Sequence, residues 1–141
     1  MRVYVDASVV LRIVLAEPRP LREWRRITQP ISSELVRLEC LRTIDRARIR
    51  FQLRDAEVAE QRAALLEKLD GFELIPINRA VLARATEPFP TSLGALDAIH
   101  LASALLARTL RDEVNLATHD RELAIAARAV GFRVLGTPAA A

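Results

Sequence analysis

The sequence predicts an α/β protein, a three-layer α/β/α sandwich with a central, mainly parallel sheet. Short apolar stretches alternate with longer stretches of helical character along the whole chain. The short stretches are apolar on both faces, as parallel strands covered by helices must be. Hydrophobic residues make up 51% of the chain but aromatic residues only 4%, so leucine, valine, isoleucine and alanine must form the core, which suits helices packed on a sheet.

The first half of the chain is predicted to alternate strands and helices from its start. In order, these are a strand at 2–6, a helix at 8–17, one or two helical turns at 21–27, a very short strand or turn at 31–33, and long helices at 34–49 and 54–71. The prolines of EPRP end the first helix, and Ser32 or Ser33 is suited to cap the helix at 34–49. Gly71 closes the last of these helices.

The second half is predicted to continue the same alternation. It contains a strand at 72–77, a helix at 78–87, a loop at 88–94, a helix at 95–110, a strand running into a loop at 114–120, a helix at 121–131 and a last strand at 132–136. No linker, repeat or low-complexity segment divides the 141 residues. We therefore expect a single domain at 1–136 and a short frayed tail at 137–141.

The cysteine count and the N-terminus limit the compartment. Cys40 is the sole cysteine, which excludes an internal disulfide and a multi-cysteine zinc site. Only five uncharged residues separate Asp6 from Arg12, too few for a signal core or a membrane-spanning helix. We expect a soluble cytoplasmic protein with no membrane partner.

Basic residues are concentrated in the first half of the chain. The formal net charge is +3, but residues 1–54 contain twelve arginines against six acidic residues, whereas the remainder is net acidic. Clustered arginines attract phosphate chains through charge and bidentate hydrogen bonds, which makes a nucleic-acid substrate plausible. An arginine-biased composition would produce the same count without any such role.

Two aspartates follow predicted strands. Asp6 stands at the end of RVYVD, and Asp120 lies two residues beyond the apolar stretch VNLAT. In parallel sheets, sites form beyond the carboxyl ends of strands, where successive loops converge. If the two strands are neighbours, these carboxylates meet at one edge, although each could also serve only as a turn or cap residue.

Two further acids lie beside apolar helix surfaces. Glu39 falls between Leu35 and Val36 on a helical projection and so points inward, where it needs a partner such as Arg37 or Arg42. Asp97 precedes ten uncharged residues, Ala98 to Ala107, as a nearly buried helix requires. An aspartate in the first turn of a helix is also explained by the helix dipole alone.

The four acids together predict a metal site. At 4 Å and an effective dielectric of about 20, each pair of carboxylates costs roughly 4 kcal/mol, so a cation must hold them together. Lys68, the only lysine, lies on a polar helix face. All-oxygen ligation suits Mg²⁺ or Mn²⁺, and such a site can support phosphodiester cleavage.

The segments DAS, SSELVRLE, LDAIHLASAL and ATHDREL carry a family resemblance. With these segments in this order, the chain resembles the PIN-domain ribonucleases, and more narrowly VapC-type toxins, over nearly its whole length. The resemblance implies that Asp6, Glu39, Asp97 and Asp120 bind Mg²⁺ or Mn²⁺. It further implies that Thr118 orients an acid or the attacking water, with Ser8 supporting Asp6.

The resemblance also implies a substrate and partners. Members are endoribonucleases that cut structured RNAs such as tRNA or ribosomal RNA, form homodimers and are silenced by a cognate antitoxin. We expect Arg12, Arg37, Arg42 and His119 to bind substrate, with the basic segment 19–26 facing RNA or an antitoxin that mimics it. Some relatives carry an extra acid where this chain has His119, which leaves one or two metal ions open. His100 is expected to be a packed core residue, and Trp24 either a core anchor for a short helix or part of an interaction groove.

Two other protein families also place acids near a first strand, but they need further residues that this chain lacks. A haloacid-dehalogenase-type phosphatase needs a second acid at position 8, where this chain has Ser8. A receiver-type signalling domain needs a paired acid and a late lysine, and neither is present. The alternative from another class is a catalytically silent protein- or RNA-binding module whose acids are caps and ion pairs.

Overall fold

The centre of the molecule is a five-stranded, all-parallel sheet. A computed structural model describes residues 1–140. The strands are β1 (Arg2–Val5), β2 (Gln29–Ser33), β3 (Glu73–Ile75), β4 (Val114–Ala117) and β5 (Val134–Leu135). Their order in the sheet is β3-β2-β1-β4-β5. The direction of the connections therefore reverses between β1 and β4, the place where ligand sites form in open parallel sheets.

Six helices cover the two faces of the sheet. They are α1 (Ala7–Val14), α2 (Leu35–Phe51), α3 (Asp55–Asp70), α4 (Arg79–Thr86), α5 (Ala95–Leu110) and α6 (Arg121–Ala129), with a 3-10 turn at Trp24–Arg26. One buried cluster joins α1, α2 and α3 to Val3 and Val5 of β1. A second cluster joins α4, α5 and α6 to Tyr4 and Ile31. The predicted three-layer α/β/α sandwich is confirmed.

Several element boundaries differ from the predictions because of proline. The first helix ends at Val14, earlier than predicted, because Pro18 disfavours helical backbone at Glu17 and the chain turns at Ala16 with φ 50°. β3 stops before Pro76, which lacks a backbone N–H. The segment around 31–33 is a strand rather than a turn, and Ser33 Oγ accepts a bond from Leu35 N at 3.1 Å.

The C-terminal ends of β1 and β4, which lead into predicted site residues, lie side by side. Val5 of β1 is in register with Ala117 of β4, so the residues that follow these strands emerge together. Thr137, the first residue of the predicted tail, donates from Oγ1 to the Thr118 carbonyl at 2.7 Å. The domain boundary itself stays a prediction. Within residues 1–140, none of the helices is both long and apolar enough to cross a membrane.

Candidate active site

The four acids predicted from the sequence line one cleft. Asp6 follows β1, Glu39 lies on α2, Asp97 lies in the first turn of α5, and Asp120 precedes α6. The cleft has a volume of about 490 Å³ at the carboxyl edge of the sheet. Parallel strands and the helices that follow them bring these residues together because all the strands end at the same edge.

Asp6 is the most firmly held of the four. The residue is 5% exposed, and its Oδ2 accepts hydrogen bonds from Ser8 Oγ at 2.6 Å, Thr118 Oγ1 at 2.9 Å and Ser8 N at 3.4 Å. The Ser8 bond from the backbone also caps α1. These bonds occupy one oxygen and leave Oδ1, which lies 3.6 Å from His100 Nε2, for the cleft.

Thr118 connects Asp6 to Asp120. While its hydroxyl donates to Asp6, its oxygen accepts the Asp120 backbone N–H at 2.9 Å. Asp120 in turn caps α6 through Oδ1, which accepts from Leu123 N at 3.0 Å. Both aspartates therefore do cap helices, as the alternative interpretation proposed, but each keeps a second carboxylate oxygen outside the cap bond.

Glu39 pairs with a histidine and not with an arginine. His100 Nε2 is hydrogen-bonded to Glu39 Oε1. The arginine partners considered from the sequence are wrong for this structure: Arg37 is exposed, and Arg42 faces Asp45 at 3.8 Å. The partly buried carboxylate thus has its partner on α5, a helix that is distant along the chain.

His100 is itself anchored by Tyr4. The Tyr4 hydroxyl lies 2.7 Å from His100 Nδ1, and both side chains are fully buried. Burial, reinforced by the charge of Asp6, raises the pKa of Tyr4 well above its ordinary value, so the phenol stays protonated. Burial lowers the pKa of His100, but the bond to Glu39 and the charges of the acids outweigh this effect and raise it overall. Nε2 carries a hydrogen in the imidazolium and in the neutral form that Tyr4 favours, so it donates to Glu39.

The role of His100 was missed by the sequence analysis, although a signal exists. His100 is a buried core residue, as expected, but it also contacts the acid cleft. It follows Asp97 by three positions in α5, which places both on one helix face. A polar residue three positions from a candidate ligand would have indicated the contact, although nothing local identifies Tyr4 or Glu39 as its partners.

The pKa of Asp97 reflects how closely the acids lie. Its side chain is partly buried, and burial followed by the charges of Asp120 and Asp6 raises its pKa to about 6. His100 opposes that shift. A carboxyl whose pKa is raised by burial and by acidic neighbours is the electrostatic signature of a site arranged for a positively charged ligand.

The donors of the cleft fit a hard divalent cation by type. All four are carboxylates, and burial first, then Glu39 and Asp6, raises the pKa of nearby Cys40 to about 12, which keeps its thiol protonated. Within residues 1–140, no three acidic, histidine or cysteine side chains converge closely enough to form a coordination shell as they stand. Binding would therefore rely on water ligands and small side-chain rotations, which suits Mg²⁺ because it retains several waters.

The predicted substrate-binding residues fall in three places. Arg42 lines the acid cleft, and so does Arg46, which follows it by one helical turn and was not predicted. Arg12 and His119 line a neighbouring groove. Arg37 is exposed on α2 and lines neither the cleft nor the groove.

Comparisons with known proteins agree with this architecture and site. The family profile described as PIN domain matches residues 3–129. The chain therefore belongs to the PIN-domain family.

Curated relatives narrow the class. The chain is 32% identical over 145 residues to Ribonuclease VapC47 of Mycobacterium tuberculosis, covering 98% of both chains. It is 32% identical over 136 residues to Ribonuclease VapC46 of the same species, covering 94% of this chain and 95% of that protein. The resemblance to VapC-type proteins and the ribonuclease class predicted from the sequence are confirmed.

A solved structure supports the fold. A chain of a toxin-antitoxin complex from Klebsiella pneumoniae matches with a TM-score of 0.58 and 20% identity, covering 88% of this chain and 91% of that chain. At this identity the match bears on the fold alone.

Proposed function

We propose that this protein is a Mg²⁺- or Mn²⁺-dependent endoribonuclease that acts as the toxin of a toxin-antitoxin pair. One observation carries the proposal: four carboxylates from four separate elements line a single cleft beyond the carboxyl ends of β1 and β4. Carboxylates placed in this way repel one another unless a cation binds among them. The ribonuclease names of the relatives supply the substrate class.

The residues of the cleft have different proposed roles. Asp6, Glu39, Asp97 and Asp120 are the proposed ligands, and the bound ion would supply positive charge for the phosphoryl oxygens and a more acidic water. Ser8 and Thr118 hold one oxygen of Asp6, which fixes the direction of the other. The carboxylate of Glu39, kept in place by His100, is suited to accept a proton as water attacks in line with the leaving oxygen.

The partners of this activity are proposed from the same family. Arg42 and Arg46 on the α2 wall of the cleft are placed to bind substrate phosphates. We propose tRNA or ribosomal RNA as substrate, a cytoplasmic setting, a small cognate antitoxin and a homodimeric assembly. Sedimentation velocity of the purified protein, with and without antitoxin, tests the last two.

A catalytically silent binding module is the second candidate. The observation that favours it is that Asp6 and Asp120 both cap helices. Capping does not explain why Glu39 and Asp97 share their cleft, or why the charges of Asp120 and Asp6 add to burial in raising the pKa of Asp97. The nuclease accounts for all four acids, so it is preferred.

The test is RNA cleavage by antitoxin-free protein. Labelled tRNA and ribosomal RNA are incubated with Mg²⁺ or Mn²⁺, with excess EDTA, and with the Asp6→Asn variant. We expect cleavage in the first condition and loss in the other two. Cleavage that survives both EDTA and the substitution would identify a contaminant, and absence of cleavage with every RNA would favour the binding module.

A further inference from the structure

A second concave surface lies next to the acid cleft. We call it the β5 groove; it has a volume of about 1520 Å³ and is formed by the end of α1, the loop 16–25 and residues 133–138. His119 lines this groove, whereas the next residue, Asp120, lines the acid cleft. The two concavities are therefore separated by the short segment that follows β4.

The β5 groove is strongly basic. It is lined by five arginines and two glutamates, namely Arg12, Arg19, Arg22, Arg25, Arg133, Glu17 and Glu23. Their formal charges sum to +3, so the groove concentrates positive charge. Within residues 1–140, none of these arginines forms an ion pair, whereas Arg42, Arg48, Arg54, Arg84 and Arg111 do. The exposed guanidinium groups of the groove, those of Arg19, Arg22, Arg25 and Arg133, are available to an external anion.

The walls of the groove are held by internal hydrogen bonds. Arg12 donates to the Arg19 carbonyl at 3.1 Å, so it supports the loop rather than facing outward. His119 Nδ1 donates to the Gly136 carbonyl at 3.0 Å, and burial lowers the pKa of its ring. Gly136 has φ 90°, and a Cβ there would lie 2.7 Å from the Thr118 carbonyl. The groove thus keeps one shape, with Arg19, Arg22, Arg25 and Arg133 exposed along it.

The order of the strands places positive charge on both sides of the acids. Arg42 and Arg46 stand on α2, which follows β2, whereas the groove lies beside β5 at the other end of the β2-β1-β4-β5 row. The acids that follow β1 and β4 lie between them. A chain of phosphates that crosses the carboxyl edge of the sheet would meet arginines, then acids, then arginines.

We propose that the β5 groove binds the single-stranded RNA segment that flanks the scissile phosphate, through contacts of Arg19, Arg22, Arg25 and Arg133 with its phosphates. This inference rests on the nuclease function proposed above. The four carboxylates of the cleft outnumber its two arginines, so without a bound cation the cleft is net negative and repels a polyanion unless its neighbouring phosphates are bound nearby. An acidic protein segment could satisfy the same arginines, but only a nucleic acid also accounts for a basic groove that lies next to the acid cleft.

The test measures RNA binding by the full-length protein in EDTA, where no cleavage occurs. The probe is a fluorescein-labelled single-stranded RNA of about 16 nucleotides, the upper size of a single-strand site. Arg22→Glu, Arg25→Glu and Arg133→Glu are combined in a groove variant. The matched control combines Arg50→Glu, Arg62→Glu and Arg79→Glu, three exposed arginines outside both concavities that form no ion pair within residues 1–140.

The two variants change the net charge equally, so they separate a site from a general charge effect. We expect the groove variant to lose about tenfold or more in affinity and to lower the salt slope of binding by about 2, for three lost phosphate contacts at about 0.7 each. The control should keep the wild-type slope. Equal losses in the two variants would overturn the proposal.

Two further comparisons fix the occupant. An uncharged morpholino oligomer of the same sequence should not bind, because it lacks phosphates. If a polyglutamate peptide binds the wild type but not the groove variant while RNA binding is unchanged, the occupant is an acidic protein and the proposal is wrong. Circular dichroism establishes that each variant is folded.

Failure of the groove and failure of the nuclease are distinguishable. If the wild type cleaves RNA and the groove variant binds and cleaves equally well, the groove proposal fails and the nuclease stands. If the wild type binds RNA through the groove but cleaves nothing with any metal, the nuclease proposal fails.

Discussion

Asp6 shows how one carboxylate can stabilise a helix and face a reaction centre at the same time. Its Oδ2 is occupied by Ser8 and Thr118, and the Ser8 N–H bond satisfies the first turn of α1. Its Oδ1 remains for the cleft. One carboxylate oxygen therefore serves the helix cap and the other faces the site, so a capping role does not exclude a functional one.

Thr118 offers the sharpest test of that arrangement. Thr118→Val removes the hydroxyl that donates to Asp6 and accepts from Asp120 N, whereas Thr118→Ser keeps it. We expect the valine variant to lose about 10- to 100-fold in cleavage rate or metal affinity, as for other groups that orient ligands. Thr118→Ser should stay close to wild type, and equal losses in both variants would show that only the packing of the residue matters.

The Tyr4–His100–Glu39 chain gives a second prediction at this scale. Tyr4→Phe removes the bond to His100 and should lower the free energy of unfolding by about 1 kcal/mol. His100→Ala leaves the Tyr4 hydroxyl and Glu39 without their partner and should cost about 1 to 3 kcal/mol and weaken Mn²⁺ binding. His100→Gln, which can still donate to Glu39, should recover part of the Mn²⁺ affinity measured by calorimetry.

If Mn²⁺ affinity is unchanged in Tyr4→Phe and in both His100 variants while the unfolding free energies fall, the hydrogen bonds of Tyr4, His100 and Glu39 are purely structural. That outcome would show that His100 does not support metal binding at the site.

The raised pKa of Asp97 predicts a pH dependence of stability. The ordinary pKa is 3.8 and the folded value about 6, so between these limits the folded carboxyl holds a proton that the unfolded one has lost. The free energy of unfolding of metal-free protein should therefore fall as the pH rises from about 4 to 6. Asp97→Asn should remove this part of the slope and stabilise metal-free protein at pH 7 by on the order of 1 kcal/mol, discounted for the partial exposure of the group.

Thermal melts across pH with and without Mg²⁺ check this prediction. Asp112→Asn removes an exposed carboxylate outside the cleft and should follow the wild-type curve. The wild type should gain stability on addition of Mg²⁺, whereas Asp97→Asn should gain less. An unchanged pH slope in Asp97→Asn would contradict the crowding of the acids.

At the scale of elements, two helix caps distinguish a structural aspartate from a functional one. Asp120 caps α6 through Leu123 N, and Asn78 caps α4 through Val81 N at 3.0 Å. Asparagine caps as well as aspartate, so Asp120→Asn should keep its stability but lose more than about 100-fold in cleavage rate, beyond the loss typical of supporting groups. Asn78→Ala should lose about 1 kcal/mol of stability and keep its cleavage rate.

Urea unfolding and single-turnover cleavage measure both effects. The silent-module alternative predicts that neither substitution changes anything but stability. A fully active Asp120→Asn variant would support that alternative.

Elements with a strong local pattern were predicted well. The helix 95–110 is found with the predicted bounds, because a long, mainly apolar segment begins after a glycine and ends in polar residues. The strand at 29–33 could not be told from a turn, because a five-residue stretch containing Pro30 is decided by its pairing with β1. Local propensity settles long periodic segments, and partners in space settle short ones.

At the scale of the whole molecule, the gathering of the acids followed from topology, whereas their partners did not. Asp6 and Asp120 were expected at one edge because parallel neighbours end together, and β1 and β4 are neighbours. The pairing of Glu39 with His100 depends on how α2 and α5 meet across the edge, which no local signal encodes. Arg133 joins the basic residues 12–25 for the same reason, since β5 lies near the end of the chain.

The proposed nuclease activity depends on a divalent cation bound among the four carboxylates. Anomalous diffraction at the manganese edge, from crystals of the wild-type protein grown with Mn²⁺, locates such an ion directly. We expect a peak in the acid cleft within ligand distance of Asp6 and at least one of Glu39, Asp97 and Asp120, directly or through water, and no peak there in Asp6→Asn. A manganese site elsewhere on the molecule, with the cleft carboxylates unliganded, would contradict it.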